Sequence, residues 1–300
     1  MKQIAIIAPT ASGKTALSIK LAHKTNSIIL SLDSLALYKE VNIASAKPTL
    51  KEREGIVHFG IDEVYPSCGF DVMDFIDVYK RAKEYALKNE KNIIIVGGTG
   101  FYLKSLLDGI SYLPPLSKAN KNILENKMKT FTSEEIYEYL VRIDEEYMKN
   151  IKVNDKYRIE KALSIYLQTK EKPSEFFKKN KPVPIIEDIQ LYEIIWDVEL
   201  LRQRISKRTK IMIEDGLLDE VIYLEQKYKR AINPMATIGI KEALDYLDGK
   251  INKKQLEEKI SIATAQLAKR QRTFNKGQFT NVIKDSLENL EEIILKNYLL

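Results

Sequence analysis

Short apolar runs recur along the chain at Ile4-Ala5-Ile6-Ile7, Ser27-Ile28-Ile29-Leu30-Ser31-Leu32, Asn92-Ile93-Ile94-Ile95-Val96 and Gln190-Leu191-Tyr192-Glu193-Ile194-Ile195-Trp196. A continuous apolar run of this length predicts a strand covered on both faces. Between the first three runs the period changes. Residues 16–22 read as a helix, and over 72–88 Phe75, Val78, Tyr79, Ala82, Ala86 and Leu87 fall at helical spacing with charges between them. A further helix is expected at 101–108. This strand–helix alternation predicts a parallel sheet with ligands at the carboxyl ends of its strands. From 116 to 179 only helical spacing persists, and Lys181-Pro182-Val183-Pro184 punctuates its end. Helices follow at about 198–214, 217–228, 240–247, 253–275 and 286–297, the last acidic and apolar and expected to pack on the core. The expected architecture is an α/β protein: a P-loop-type parallel sheet flanked by helices, formed by 1–115 and 185–300, with an all-helical insertion domain at 116–184.

The first run leads into Ala8-Pro9-Thr10-Ala11-Ser12-Gly13-Lys14-Thr15 and then into a helix. A strand, a tight loop ending Gly-Lys-Thr and a helix form the setting of a phosphate-binding loop. Successive backbone N–H groups and the helix N-terminus make an anion-binding concavity there. Lys14 adds a point charge, and the Thr15 hydroxyl can ligate Mg²⁺. The usual first glycine of such a loop is Ala8 here, a position that accepts a methyl group only if its backbone keeps φ negative. The motif predicts a phosphate ligand without saying what carries the phosphate.

Composition narrows the possibilities. Of 300 residues 44% are hydrophobic and 30% charged, enough for a full core and a polar surface. No apolar run approaches the roughly 18 residues that span a bilayer. Met1-Lys2-Gln3 runs directly into the first strand, so no signal peptide is expected and the cytosol is the expected compartment. Cys68 is the only cysteine, which excludes an intramolecular disulfide and a thiolate zinc cluster. The net charge of +6 is only mildly basic, but its distribution is uneven. Between Lys259 and Lys284 stand Lys259, Lys269, Arg270, Arg272, Lys276 and Lys284 with no acidic residue, which suggests a polyanion partner.

Further candidates sit at the expected strand ends. Asp33 closes the second run, placed to act as a general base, to help hold Mg²⁺, or simply to cap a helical turn. Gly97-Gly98-Thr99-Gly100 forms a second glycine-rich turn where an NTPase would carry an acidic residue. On the helix at 198–214, Arg204 and Arg208 share one face, either as a clamp on a diphosphate or as a solvated basic surface.

Taken together, several stretches resemble the tRNA dimethylallyltransferase family. They are Ala8–Thr15; Asp33-Ser34-Leu35-Ala36-Leu37-Tyr38-Lys39 with Ile43-Ala44-Ser45-Ala46-Lys47-Pro48; and Val96-Gly97-Gly98-Thr99-Gly100-Phe101-Tyr102. Asn154-Asp155 with Arg158, Ile238-Gly239-Ile240-Lys241-Glu242 and Leu267-Ala268-Lys269-Arg270-Gln271 complete them, in the family's order over nearly the whole chain. The chain departs from the family at Ala8 (usually Gly), Ala44-Ser45 (usually Gly-Thr) and Phe274 (usually Trp). The resemblance implies transfer of a dimethylallyl group from its diphosphate to N6 of adenosine 37 in tRNAs reading codons that start with U. It implies that residues 8–15 hold the diphosphate, with Mg²⁺ at Thr15. Asp33 would be the base, while Thr10, Lys14 and Arg204 or Arg208 would stabilise the leaving group. It further implies that tRNA meets Asp33, Ser34, Leu35, Ala36 and Thr99, and in the insertion Lys121, Tyr157, Arg158, Ile159, Glu160 and Lys161. Lys269, Arg270 and Arg272 are the other expected RNA contacts, and a monomer is expected.

The insertion carries fifteen Lys/Arg against eleven Asp/Glu between positions 112 and 184, in keeping with an RNA partner. Alternatives are a small-molecule kinase with Asp33 activating an acceptor hydroxyl, an isopentenyltransferase acting on free AMP or ADP, and an RNA-binding module with a vestigial loop.

Overall fold

The computed structural model describes residues 1–111 and 113–299. Its described residues form two compact units, one of Met1–Leu107 with Ile186–Leu300 and one of Asp108–Ile185. The second unit thus begins some residues before the Leu113-Pro114-Pro115 stretch where the sequence pattern changes.

In the first unit β1 (Gln3–Ile7), α1 (Lys14–Thr25), β2 (Ser27–Leu32), β3 (His58–Phe59), α2 (Val72–Lys88), β4 (Asn92–Gly97) and α3 (Gly100–Asp108, its last residue lying across the unit boundary) follow one another. The strands join β5 (Gln190–Ile194) and β6 (Val282–Asp285) in one sheet of order β3-β2-β4-β1-β5-β6. Every pairing is parallel. Central strands of a parallel sheet are covered on both sides, which is why β1, β2 and β4 read as apolar runs. Ile4, Ile6, Ile29, Ile94 and Val96 face one side and pack with Leu17, Leu21 and Ala22 of α1. Strand residues alternate between faces, and Gln3, on the opposite side from Ile4, accepts a hydrogen bond from Tyr79 of α2 at 3.0 Å.

β3 and β6 were not expected. β3 has two residues, and β6 reads Val-Ile-Lys-Asp on the sheet edge, too short and too polar to give a pattern. β5 ends at Ile194, so Trp196 lies beyond the strand in which its sequence run placed it.

The second unit holds α4 (Lys118–Thr130), α5 (Ser133–Ile143), α6 (Glu145–Met148), α7 (Lys156–Thr169) and α8 (Pro173–Lys179). Leu124, Ile136, Leu140, Met148, Ile159 and Leu163 form its core. Asp155 caps α7 by accepting from Arg158 N at 3.1 Å, so the Asn154-Asp155…Arg158 pattern is in part a helix start.

The first unit is completed by α9 (Val198–Glu214), α10 (Leu217–Tyr228), α11 (Ile240–Leu247), α12 (Lys253–Gln278) and α13 (Leu287–Leu299). Leu290 and Ile294 of α13 are fully buried against the α1 side of the sheet, as the acidic–apolar pattern predicted. Among the described residues no helix is long and apolar enough to cross a membrane.

Candidate active site

The register of the sheet assembles the site. Ile7 and Leu32 both pair with Gly97, so the loop after β1, Asp33 after β2 and the glycine turn after β4 emerge side by side. The motif 8–15 passes from loop to helix at Gly13, which caps α1 at φ 87° without any side-chain hydrogen bond, and no acidic residue occupies the first turn. The unpaired N–H groups at this helix start therefore face the loop's concavity, where an anion is favoured. Ala8 is buried and keeps φ out of the positive region; besides Gly13, the left-handed residue of the loop is Ala11, at φ 63°.

Lys14 bends back over the loop, its Nζ donating to Pro9 O at 3.4 Å. Burial lowers its pKa to about 8, with Asp33 opposing the shift and Arg208 adding to it. Burial likewise lowers the pKa of Arg208, against the pull of Asp33. Two cations and one carboxylate thus share a poorly hydrated space that holds more positive than negative charge.

Arg204 and Arg208 of α9 do separate work. Arg208 Nη1 donates to Thr10 Oγ1 at 3.0 Å. Arg204 instead donates from Nε to Ala11 O at 2.8 Å while its guanidinium lies 4.6 Å from the Trp196 ring centre. Arg208 is the clamp candidate; Arg204 holds the loop's backbone.

Asp33 fills one of its expected roles in the structure, that of a cap. Its Oδ1 accepts from the N–H groups of Leu35 (2.9 Å) and Ala36 (3.1 Å), fixing the turn that follows β2. Among the described residues no hydrogen bond ties Oδ2. Asp33 lines a cavity of about 310 Å³ with Thr10, Ser34, Leu35, Thr99 and Arg208, walled on its apolar side by Met212, Ile238 and Leu267. A second, open cleft is lined by Lys14, Thr15, Lys20, Lys207 and Arg208. Thr10, Asp33 and Arg208 also border the small cavity that holds Lys14 and Thr15.

Thr15 is exposed at the start of α1, and its hydroxyl together with Asp33 supplies hard oxygen donors of the type Mg²⁺ accepts. Among the described residues no group of three His, Cys, Asp or Glu side chains is placed to bind a metal. Thr15 and Asp33 would be the protein donors to such an ion.

Other predicted contacts divide by exposure. Ser34, Lys121, Tyr157, Arg158, Glu160, Lys269 and Arg270 face solvent, and Leu35, Thr99, Lys161 and Arg272 are half-buried. Ile159 is a correction: it is fully buried in the core of the second unit and supports α7 instead of meeting RNA. Ala36, at 3% exposure, packs beneath the turn that Asp33 caps and lines the small cavity beside Asp33 and Arg208. Lys284 leaves the basic surface too, because β6 carries it to within 2.6 Å of the buried carboxylate of Glu193.

Sequence reading missed three contributors. Gln271 Oε1 accepts from Thr10 N at 2.9 Å, and a Cβ on Gly98 would lie 2.3 Å from Gln271 Nε2, so a side chain there would displace this amide. Glu220 of α10 accepts from the amides of Asn42, Ile43 and Ala44, fixing the segment around Ser45. Trp196 donates to Ser12 O at 3.0 Å. Each is a single side chain reaching backbone far away in sequence, which leaves no local pattern.

Comparison with known proteins adds independent findings. The family model described as IPP transferase matches residues 36–278. The chain is 57% identical over 299 residues to a tRNA dimethylallyltransferase of Aliarcobacter butzleri, covering 99% of each chain. A crystal structure of a tRNA delta(2)-isopentenylpyrophosphate transferase from Staphylococcus epidermidis is 34% identical, with a TM-score of 0.68 over 99% of this chain and 98% of that one. A eukaryotic dimethylallyltransferase acting on tRNA gives a TM-score of 0.82 at 29% identity, over 95% of this chain and 74% of that one.

Proposed function

The chain belongs to the tRNA dimethylallyltransferase family, and we propose that it prenylates N6 of adenosine 37 in tRNAs reading codons that start with U, acting as a monomer in the cytoplasm. One observation carries the mechanism: Thr10, Asp33 and Arg208 line both the small cavity that contains Lys14 and Thr15 and the 310 Å³ cavity. A diphosphate on one side and an adenine on the other would meet at these three residues.

The loop amides, Lys14 and Arg208 hold the diphosphate of dimethylallyl diphosphate, and the apolar wall of Met212, Ile238 and Leu267 takes the five-carbon group. The adenine N6 lone pair is delocalised into the ring, so N6 is a weak nucleophile. As N6 bonds to C1 of the dimethylallyl group, the C1–O bond breaks and its electron pair leaves with the diphosphate. Asp33 Oδ2 takes the N6 proton, help typically worth about 10²–10⁴ in rate. Lys14, Arg208, Thr10 and the helix start are preorganised around the charge that grows on the leaving oxygen. Thr15 would hold a Mg²⁺ ion, which would offset further charge there.

Anticodon-loop bases are unpaired, so bringing one into a cavity costs less than extracting it from a duplex. Lys269, Arg270 and Arg272 of α12 contact tRNA phosphates. In the insertion, Lys121, Tyr157, Arg158, Glu160 and Lys161 approach the anticodon stem-loop. Tyr157 is 69% exposed, with Lys161 Nζ 5.5 Å from its ring centre, a pairing suited to stacking on an unpaired base. The test is an unmodified anticodon stem-loop with adenosine at position 37, compared with the same loop carrying guanosine there. Prenylated nucleoside in the first alone supports the assignment; prenylation of both, or of another adenosine, contradicts it.

A further inference from the structure

The phosphate loop lacks its first glycine and places Ala11 at φ 63°, a region costly to any residue with a Cβ. Something outside the loop must hold it, and three side chains from three places do. Gln271 accepts the N–H of Thr10, Arg204 donates to the carbonyl of Ala11, and Trp196 donates to the carbonyl of Ser12. In a trans peptide the C=O and N–H point in opposite directions. Holding Ala11 O and Ser12 O therefore turns the N–H groups of Ser12 and Gly13 the other way. Holding the Thr10 N–H turns Pro9 O toward Lys14 Nζ, where the contact of 3.4 Å is found.

Trp196 serves this arrangement twice. Its indole N–H fixes one carbonyl, and its ring lies against the Arg204 guanidinium that fixes the carbonyl before it. The cation–π contact restricts Arg204 to the orientation in which Nε meets Ala11 O. Leaving the sheet after Ile194 is what frees Trp196 to do this.

We infer that Trp196 is a positioning residue for catalysis: through its own N–H and through Arg204 it sets two consecutive loop peptides so that their amides are ready for a diphosphate. The inference rests on the diphosphate reading of the loop. It does not place Trp196 in contact with substrate.

Calorimetric titration with inorganic diphosphate in the presence of Mg²⁺ tests it on the wild type, Trp196→Phe and Trp196→Leu. The Phe variant keeps a ring for Arg204 and loses the N–H, so its dissociation constant for diphosphate rises about 3- to 10-fold. The Leu variant loses both contacts and binds more weakly still. Affinity for tRNA, measured in parallel, stays at the wild-type value in both, and KM for dimethylallyl diphosphate rises more than kcat falls. Unchanged diphosphate affinity in the folded Phe variant overturns the inference, as does an equal loss of tRNA affinity, which would mark a general structural role. Should the Leu variant fail to fold, the Phe variant decides alone. Absence of diphosphate binding to the wild type would overturn the loop assignment and the inference with it.

Discussion

Arg208 donates to the Thr10 hydroxyl at 3.0 Å, whereas Arg204, one helical turn earlier on the same face, is turned to the loop backbone at Ala11 O. Spacing alone made the two arginines equivalent. Packing separates them: Arg208 enters a desolvated space with Lys14 and Asp33, and Arg204 lies exposed across Trp196.

That division predicts different kinetic losses. In the proposed mechanism Arg208→Ala removes a donor to the leaving group, and kcat should fall about 10²–10³-fold. Arg204→Ala should mainly raise KM for dimethylallyl diphosphate, with a smaller change in kcat. Steady-state kinetics of both variants, with equal effects on kcat as the contrary result, checks this.

Asp33 can be dissected by choice of replacement. Asp33→Asn keeps an oxygen for the amides of Leu35 and Ala36 but cannot take a proton. Its kcat should fall about 10²–10⁴-fold with the melting temperature and tRNA affinity retained. Asp33→Ala should lose activity equally and also about 1 kcal/mol of stability with the turn's acceptor. Near-wild-type turnover by the Asn variant would remove Asp33 from the proton transfer.

Lys14 predicts two pH effects of opposite sense. Its pKa lies near 8 in the ligand-free protein, and only the charged amine attracts diphosphate. Diphosphate affinity should therefore hold below about pH 8 and weaken as pH rises through it, by up to about tenfold per unit. Folding responds the other way. Between about 8 and 10.5 the unfolded chain keeps a proton that the folded chain has released, so this lysine's contribution to stability rises with pH across that window. Lys14→Met should thus melt above the wild type at pH 7, with the gap closing toward pH 10.5. Calorimetry for binding and thermal melts for stability measure the two.

The basic surface of α12 gives a salt prediction. Replacing Lys269, Arg270 and Arg272 with alanine should weaken tRNA binding and lower the slope of log K against log salt by up to about 2–3. An unchanged slope at matched salt would remove these residues from the RNA contact.

Much of this was legible in the sequence, for definite reasons. Parallel central strands are nearly continuous apolar runs, so β1, β2 and β4 stood out; the Gly13-Lys14-Thr15 loop is local, and so is its chemistry. What escaped was either short or distant. Edge strands β3 and β6 bury too little to impose a pattern, and β6 interrupted a stretch read as one basic surface by pairing Lys284 with Glu193. Ile159 lay among exposed neighbours in the chain, and only the helical turn sends it inward. Trp196 and Gln271 act on the loop across 184 and 261 positions, a relationship no window of sequence contains.

The most direct test of the account is transfer of labelled prenyl group from dimethylallyl diphosphate, offered with Mg²⁺ to unmodified tRNA and to AMP side by side. The account predicts label in tRNA alone, lost in Asp33→Asn. Label in AMP, or prenyl-tRNA formed undiminished by the Asn variant, would contradict it.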